Sequence, residues 1–280
     1  MSATRGSDSW IQGDPGPMPP EINTSVAHSA RVYDYWLGGK DNFAADRALG
    51  DAIMAAVPTI KTMARANRDF LRRAVRYLAA EVGIRQFLDI GTGIPTAGNT
   101  HEVAQEIASD ARVVYVDNDP IVLAHARALM TSHDAGATAF IGADLHEPQK
   151  ILADPKLAAT IDLGQPVALM LVAILMFFRD EDNPRRMVST LVDALPSGSY
   201  VAITHPTADF NADAMAGAVA AAEHAGITLV PRSHAETEAF LTGLDLVEPG
   251  VVPVLAWRPD GGPPTDPHMA YYYAAVGRKP

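Results

Sequence analysis

The spacing of apolar and polar positions changes character along the chain, and each change predicts a different kind of element. Between residues 25 and 80 apolar side chains recur at helical spacing, most clearly Phe70, Leu71, Ala74, Val75 and Leu78. From residue 84 the period alternates. Gln86–Ile90 is a short apolar strand that ends in a glycine turn, and Val103, Ala104, Ile107 and Ala108 then mark a helix. Arg112–Val116 is a second strand, rich in β-branched residues, followed by a helix over Ile121–Met130. Thr138–Ile141, Val167–Ile174 and Tyr200–Thr204 continue the strands, with helices over residues 185–195 and an alanine-rich 211–225. The run Val167–Ile174 is apolar throughout, as a strand covered on both faces should be. Strand–helix alternation predicts an α/β fold with a mostly parallel, seven-stranded sheet and right-handed crossovers. The last third breaks the rhythm: Leu244–Glu248, Val251–Trp257 and Met269–Val276 read as strands with no adequate helix between them. They predict an antiparallel C-terminal hairpin at one sheet edge. The expected organisation is a tail over residues 1–24, a helical N-terminal extension over 25–80 and a ligand-binding domain over 81–280.

Composition narrows the function classes. The tail, with Gly13-Asp14-Pro15-Gly16-Pro17-Met18-Pro19-Pro20, lacks the apolar area to offset ordering entropy, so it is expected to be disordered, although Trp10 and Ile11 offer docking side chains. Twenty-two Lys+Arg against 33 Asp+Glu give a net charge of −11, a field that opposes nucleic acid and anionic membranes as partners. With no cysteine there is no disulfide, thiolate metal site or Cys nucleophile. The longest apolar run, Val167–Phe178, falls short of the about 20 residues a bilayer requires, and residues 1–20 contain no signal-type apolar region. The cytoplasm is the expected compartment. None of the nine histidines is spaced with another as metal ligands are. Asp180-Glu181-Asp182-Asn183 reads as the cap of a helix beginning near Pro184, so no metal is expected.

The chemistry concentrates at three strand ends. Asp89-Ile90-Gly91-Thr92-Gly93 closes the first strand. Ligands of parallel α/β sheets sit beyond the carboxyl ends of strands, and glycine lets backbone approach them closely. Two ligand classes fit here, a dinucleotide and S-adenosylmethionine. The dinucleotide fingerprint needs a third glycine where this chain has Thr96. The next helix also starts late, with Asn99 as N-cap and Glu102 as its capping-box partner, and Pro95 removes a donor from the loop. Such a loop is a poor pyrophosphate clamp and suits one modest anion, such as a methionine carboxylate. Asp117, with Asn118 beside it, ends the second strand, where an acid accepts hydrogen bonds from ribose hydroxyls. Asp119 before Pro120 reads as an N-cap instead. After the third strand, Asp144 can accept from an adenine amino group while Leu145 packs on the ring.

Ser29-Ala30-Arg31-Val32-Tyr33-Asp34-Tyr35-Trp36-Leu37-Gly38-Gly39-Lys40-Asp41-Asn42-Phe43 resembles the N-terminal signature of an S-adenosyl methyltransferase family long catalogued as a domain of unknown function. Phe87–Gln105, Val113–Arg127 and the closing Tyr272–Lys279 are similar to that family too. The resemblance spans roughly residues 25–280. It implies the Rossmann-like class I methyltransferase fold, with Asp89, Gly91 and Gly93 as the glycine-loop motif, Asp117 as the ribose acid and S-adenosylmethionine as cofactor. It implies no particular acceptor. One departure stands out: Met176 occupies the place after the fourth strand where similar sequences would have His.

A sulfonium cation favours aromatic faces and carboxylates. Tyr33, Trp36, Lys40 and Asn42 are therefore candidate lid or substrate residues, with an ordinary N-terminal helix stopped at Gly38-Gly39 as the simpler reading. His205 follows the fifth strand and is a candidate base, against a structural role. Arg65, Arg68, Arg72 and Arg76 form a stripe that reads as a solvated helix face or, failing that, a docking site for an acidic acceptor or partner. No Asp/Asn-Pro-Pro-aromatic motif follows the fourth strand, which argues against methylation of DNA base amines by the usual route. The expected activity is methyl transfer to a small molecule of unspecified identity, with no nominated base. The alternatives are a catalytically inactive protein that keeps this fold as a binding or regulatory module, and an NAD-dependent oxidoreductase. Oligomeric state is not legible.

Overall fold

A computed structural model of the chain describes residues 23–129 and 132–280, so the expected tail lies almost wholly outside them. Three helices come first: α1 (Ser29–Leu37), α2 (Ala44–Ala56) and α3 (Ile60–Arg76), the last continuing as a π-helical turn over Tyr77–Val82. Five parallel strands follow: β1 (Gln86–Ile90), β2 (Arg112–Asp117), β3 (Ala137–Gly142), β4 (Ala168–Val172) and β5 (Tyr200–Pro206). Helices α4 (Thr100–Ile107), α5 (Pro120–Leu129), α6 (Pro148–Ala153), α7 (Pro155–Thr160) and α8 (Pro184–Ala194) connect them, and α9 (Ala212–His224) and α10 (His234–Glu238) come after β5. The short β6 (Asp245–Leu246) and β7 (Val252–Pro253) precede β8 (Tyr272–Arg278). The spatial order is β3-β2-β1-β4-β5-β8-β6, with β7 also paired to β8. Strand order reverses between β1 and β4, which opens a crevice beyond their carboxyl ends.

The apolar runs make sense once both faces are covered. Phe87, Val113, Tyr115, Ala168, Met170 and Ala202 belong to the core that includes α3. Their strand neighbours Leu88, Val114, Val116, Leu169, Leu171, Val201 and Ile203 belong to the core on the opposite face, with α6, α7 and α8. Successive side chains point to opposite faces, so two layers consume nearly every strand position.

The C-terminal antiparallel arrangement is present, with β8 paired to β5 along its whole length, from Tyr200 opposite Arg278 to Pro206 opposite Tyr272. The strand expected over Val251–Trp257 shortens to two residues. Pro253 has no N–H for a ladder, and Val254–Ala256 turns into a 3₁₀ segment. That turn drives Trp257 into the core against Phe70, with ring centroids 5.1 Å apart. Arg73 ties the same segment to α3 through the Trp257 carbonyl (2.9 Å) and the Val254 carbonyl (2.8 Å).

The N-terminal signature folds on its own acids. The buried Asp46 carboxylate accepts from the backbone N–H groups of His28 and Phe43 (both 2.8 Å) and from Arg31 Nε (3.1 Å). Asp34 accepts from the Asp41 N–H (3.0 Å) and Asn42 Nδ2 (2.8 Å), closing the turn after Gly38, whose φ of 86° suits glycine. Helix α2 then packs against α9 so closely that a Cβ at Gly217 would stand 2.8 Å from Ala56 Cβ.

Candidate active site

One cavity of about 490 Å³ lies beyond the carboxyl ends of β1, β2, β3 and β4, roofed by residues of α1, α2, α3 and α9. Asp89, Gly91, Thr92, Gly93, Asp117, Asn118, Asp144 and Leu145 all line it, together with Tyr33 and Trp36. Three strand ends and one N-terminal helix thus bring together the residues selected from the sequence.

Local reasons for each position are visible. Gly91 has φ 75°, and a Cβ there would meet Ile174 Cδ1 at 2.6 Å, so only glycine lets β1 turn beneath Ile174. Asp117 organises the glycine turn: Gly93 N–H donates to its Oδ2 (3.0 Å) and Asp119 N–H to its Oδ1 (2.9 Å). Burial raises the Asp117 carboxyl above its ordinary range, against the two backbone N–H donors that favour its ionised form. Asp144 accepts from Asn118 Nδ2 (2.9 Å) and from His146 N–H (2.8 Å), and it is held below the ordinary range by these and other donors despite partial burial. The expected capping box of α4 is present, with Glu102 Oε2 accepting from Gly98 N–H (2.7 Å) and Asn99 N–H (3.1 Å).

Asp89 is the most perturbed acid. It is 6% exposed, and burial pushes its carboxyl up to about 6, while Thr100 Oγ1 donates to it at 2.6 Å and the Arg68 charge acts in the opposite sense to burial. A buried acid poised in this way at a cavity wall is suited to a cationic ligand group.

Three candidates from the sequence do not line the cavity. Lys40 is exposed, and Asn42 serves Asp34 in the turn. His205 is fully buried on the other side of β5, stacked on Phe240 at 5.9 Å between ring centroids. Its Nε2 lies 3.0 Å from Arg232 Nη1 and its Nδ1 3.0 Å from the Pro206 carbonyl, so Nε2 accepts and Nδ1 donates. Burial lowers this imidazole to about 4, and it is neutral at pH 7. His101 is likewise buried, against the Tyr115 hydroxyl (2.8 Å).

The structure also brings to the cavity two residues the sequence had named for other reasons, Arg68 in a helix stripe and Thr96 as the missing third glycine. Arg68 lines the cavity, and its Nη2 reaches the Gly98 carbonyl at 3.3 Å. Thr96 lines it too, and its buried hydroxyl has no partner. Neither shows a local signal, since an arginine stripe looks the same whether it meets water or a loop about thirty residues onward. Among the described residues no cluster of His and acids could hold a metal, and no helix is long and apolar enough to cross a membrane.

A β3-β2-β1-β4-β5 parallel array extended by an antiparallel strand, with a glycine turn and acids at successive strand ends, defines the class I methyltransferase fold. An O-methyltransferase family protein from Burkholderia thailandensis shares that fold at 14% identity and a TM-score of 0.50, over 79% of this chain and 58% of that one. The chain belongs to the S-adenosyl methyltransferase family, whose model matches residues 15–280. It is similar to a DUF574 family protein from Streptomyces avermitilis (47% identity, TM-score 0.89, 92% of this chain and 99% of that one). It is also similar to a candidate methyltransferase from Thermobifida fusca (42% identity, TM-score 0.85, 94% and 98% covered). A comparison with curated proteins returned no match.

Proposed function

We propose that this protein transfers the methyl group of S-adenosylmethionine to a small-molecule acceptor. The observation that carries the reading is the convergence of Asp89, Asp117 and Asp144 with the Gly91–Gly93 turn on one cavity, in a chain of this family. Asp117 would hold the ribose hydroxyls, and Asp144 with Leu145 the adenine. The unpartnered Thr96 hydroxyl and Arg68 fit the methionine carboxylate, and Asp89 fits its ammonium. S-adenosylmethionine supplies an already activated methyl group, so the residues of this chain act by positioning and by excluding water. Residues 25–80 act as the lid: Tyr33 and Trp36 of α1 form part of the cavity wall, and α2 closes against α9.

Adding the dialysable fraction of a bacterial extract to protein and S-adenosylmethionine is expected to release S-adenosylhomocysteine, and Asp117→Ala is expected to abolish the release. Turnover only with the macromolecular fraction would contradict a small-molecule acceptor.

Arg68→Ala is expected to weaken S-adenosylhomocysteine about 10- to 100-fold, the worth of one charge-assisted pair of about 1.5–3 kcal/mol. Thermal stability should change little, because Arg68 makes only long contacts, 3.3 Å to the Gly98 carbonyl and 3.5 Å to Asn99 Oδ1. Calorimetry against adenosine separates this from general damage: adenosine lacks the carboxylate, so its affinity should be unchanged.

A further inference from the structure

The cavity has a second half, over β4, β5 and β8, that none of the cofactor-holding residues occupies. Met63 of α3, Met176 after β4 and Met215 of α9 line it as buried side chains, and half-buried Trp36, Phe177 and Leu229 complete the wall. Methionine is unbranched and polarisable, which suits a wall that adapts to an apolar guest.

Apart from Thr228, a single neutral hydroxyl beside Leu229, the side-chain polar atoms of this half are engaged with one another or with backbone. The Tyr33 hydroxyl donates to the Ala64 carbonyl (2.9 Å) and accepts from Asn67 Nδ2 (2.9 Å), while Thr204 Oγ1 donates to Asn67 Oδ1. The Tyr272 hydroxyl points at Met176 Sδ, 3.7 Å away. Burial raises both phenols, so neither supplies a charge at neutral pH. The titratable and charged groups of the cavity lie elsewhere: Asp89, Asp117, Asp144 and Arg68 at the cofactor end, with His146 Nδ1 2.7 Å from Asp144 Oδ1, Asp34 in its turn, and His28 with Nδ1 3.0 Å from Asp119 Oδ2. An ionised acceptor entering among methionine and aromatic surface would lose its hydration with no counter-charge. An uncharged apolar one gains roughly 25 cal/mol for each Å² it buries.

Building on the methyl-transfer reading, we infer that the acceptor is an uncharged molecule with a predominantly apolar body, bound between α3, α9 and the segment after β4. In the transfer a lone pair of the acceptor forms the bond to the methyl carbon. The carbon–sulfur pair returns to sulfur, leaving the neutral thioether of S-adenosylhomocysteine. The positive charge passes to the methylated acceptor, which releases its proton to water. Met176 then serves as apolar wall at the place where a histidine would have put a base.

Two fluorescent probes with the same rings isolate charge: N-phenylnaphthylamine, which is neutral, and anilinonaphthalene sulfonate, which is its anion-bearing counterpart. Protein is first saturated with S-adenosylhomocysteine, and each probe is titrated in. The neutral probe is expected to bind at least about 10-fold more tightly, a difference of about 1.4 kcal/mol. Ala218→Leu and Ala222→Leu, each filling the cavity from α9, are expected to weaken it at least about 10-fold. S-adenosylhomocysteine affinity in these variants stays within about twofold and reports that they are folded. Equal or tighter binding of the sulfonate, or neutral-probe binding untouched in a folded variant, would overturn the inference alone. Absence of S-adenosylhomocysteine binding by the unaltered protein would overturn the methyl-transfer reading and this inference with it.

Discussion

Replacing Asp117 by Ala is expected to lower the affinity for S-adenosylhomocysteine by at least about 100-fold. Two hydroxyl donors on one carboxylate are each worth about 1.5–3 kcal/mol, and about 1.4 kcal/mol is a factor of ten. Each Asp117 oxygen now accepts one backbone N–H, from Gly93 or Asp119, and each keeps a further lone pair toward the cavity. The substitution therefore removes the ligand's partner and also frees the glycine turn that the carboxylate fixes. Asp117→Asn retains one acceptor oxygen and should fall between the two. Calorimetry with a melting curve of each variant makes the check. A loss below about fivefold in a folded Ala variant would remove Asp117 from the site.

Asp89→Asn is expected to stabilise the unliganded protein at pH 8 by up to about 3 kcal/mol and to change nothing at pH 4. The folded carboxyl titrates at about 6 against an ordinary value of 3.8, roughly two pH units, each worth about 1.4 kcal/mol. The sign follows from the raised value. The native state holds the proton more tightly than the unfolded chain, so the favourable contribution is complete below about pH 4 and is lost as pH rises through about 6. Asparagine keeps the Thr100 hydrogen bond and carries no charge to desolvate. Denaturant melts of both proteins at the two pH values test this. Cofactor binding should move the opposite way, because the ionised Asp89 is the form that would pair with the methionine ammonium. Wild-type affinity should fall below about pH 6, and the Asn variant should bind weakly with no such step. A variant no more stable at pH 8 would mean that burial does not strain this acid.

Much of this arrangement was legible because it is written locally. A strand buried on both faces is apolar along its middle, and β4 is so throughout, while β1 and β2 depart from it only at Gln86, Asp89, Arg112 and Asp117. The Asn99–Glu102 capping box fixed the late start of α4, and with it the open loop that distinguishes this site from a pyrophosphate clamp. The errors and omissions come from information that is not local. His205 sits at the right strand end, but side chains alternate along β5, so Pro206 lines the cavity while His205 faces Phe240 on the other side. Arg68 acquires its place only when α3 crosses Gly98 and Asn99. Lys40 and Asn42 lie near Tyr33 and Trp36 in sequence, yet with the turn closed on Asp34 neither lines the cavity. The apolar half of the cavity has almost no local signature, because the alanines of α9 and scattered methionines read as ordinary core until α9 is placed opposite α2.

The central claim is that this cavity is built for the adenosyl-sulfur ligand, and calorimetric titration of S-adenosylhomocysteine and NAD into the purified protein tests it most directly. Stoichiometric binding of S-adenosylhomocysteine with no heat from NAD is the predicted result. Binding of NAD, or of neither ligand, would contradict it.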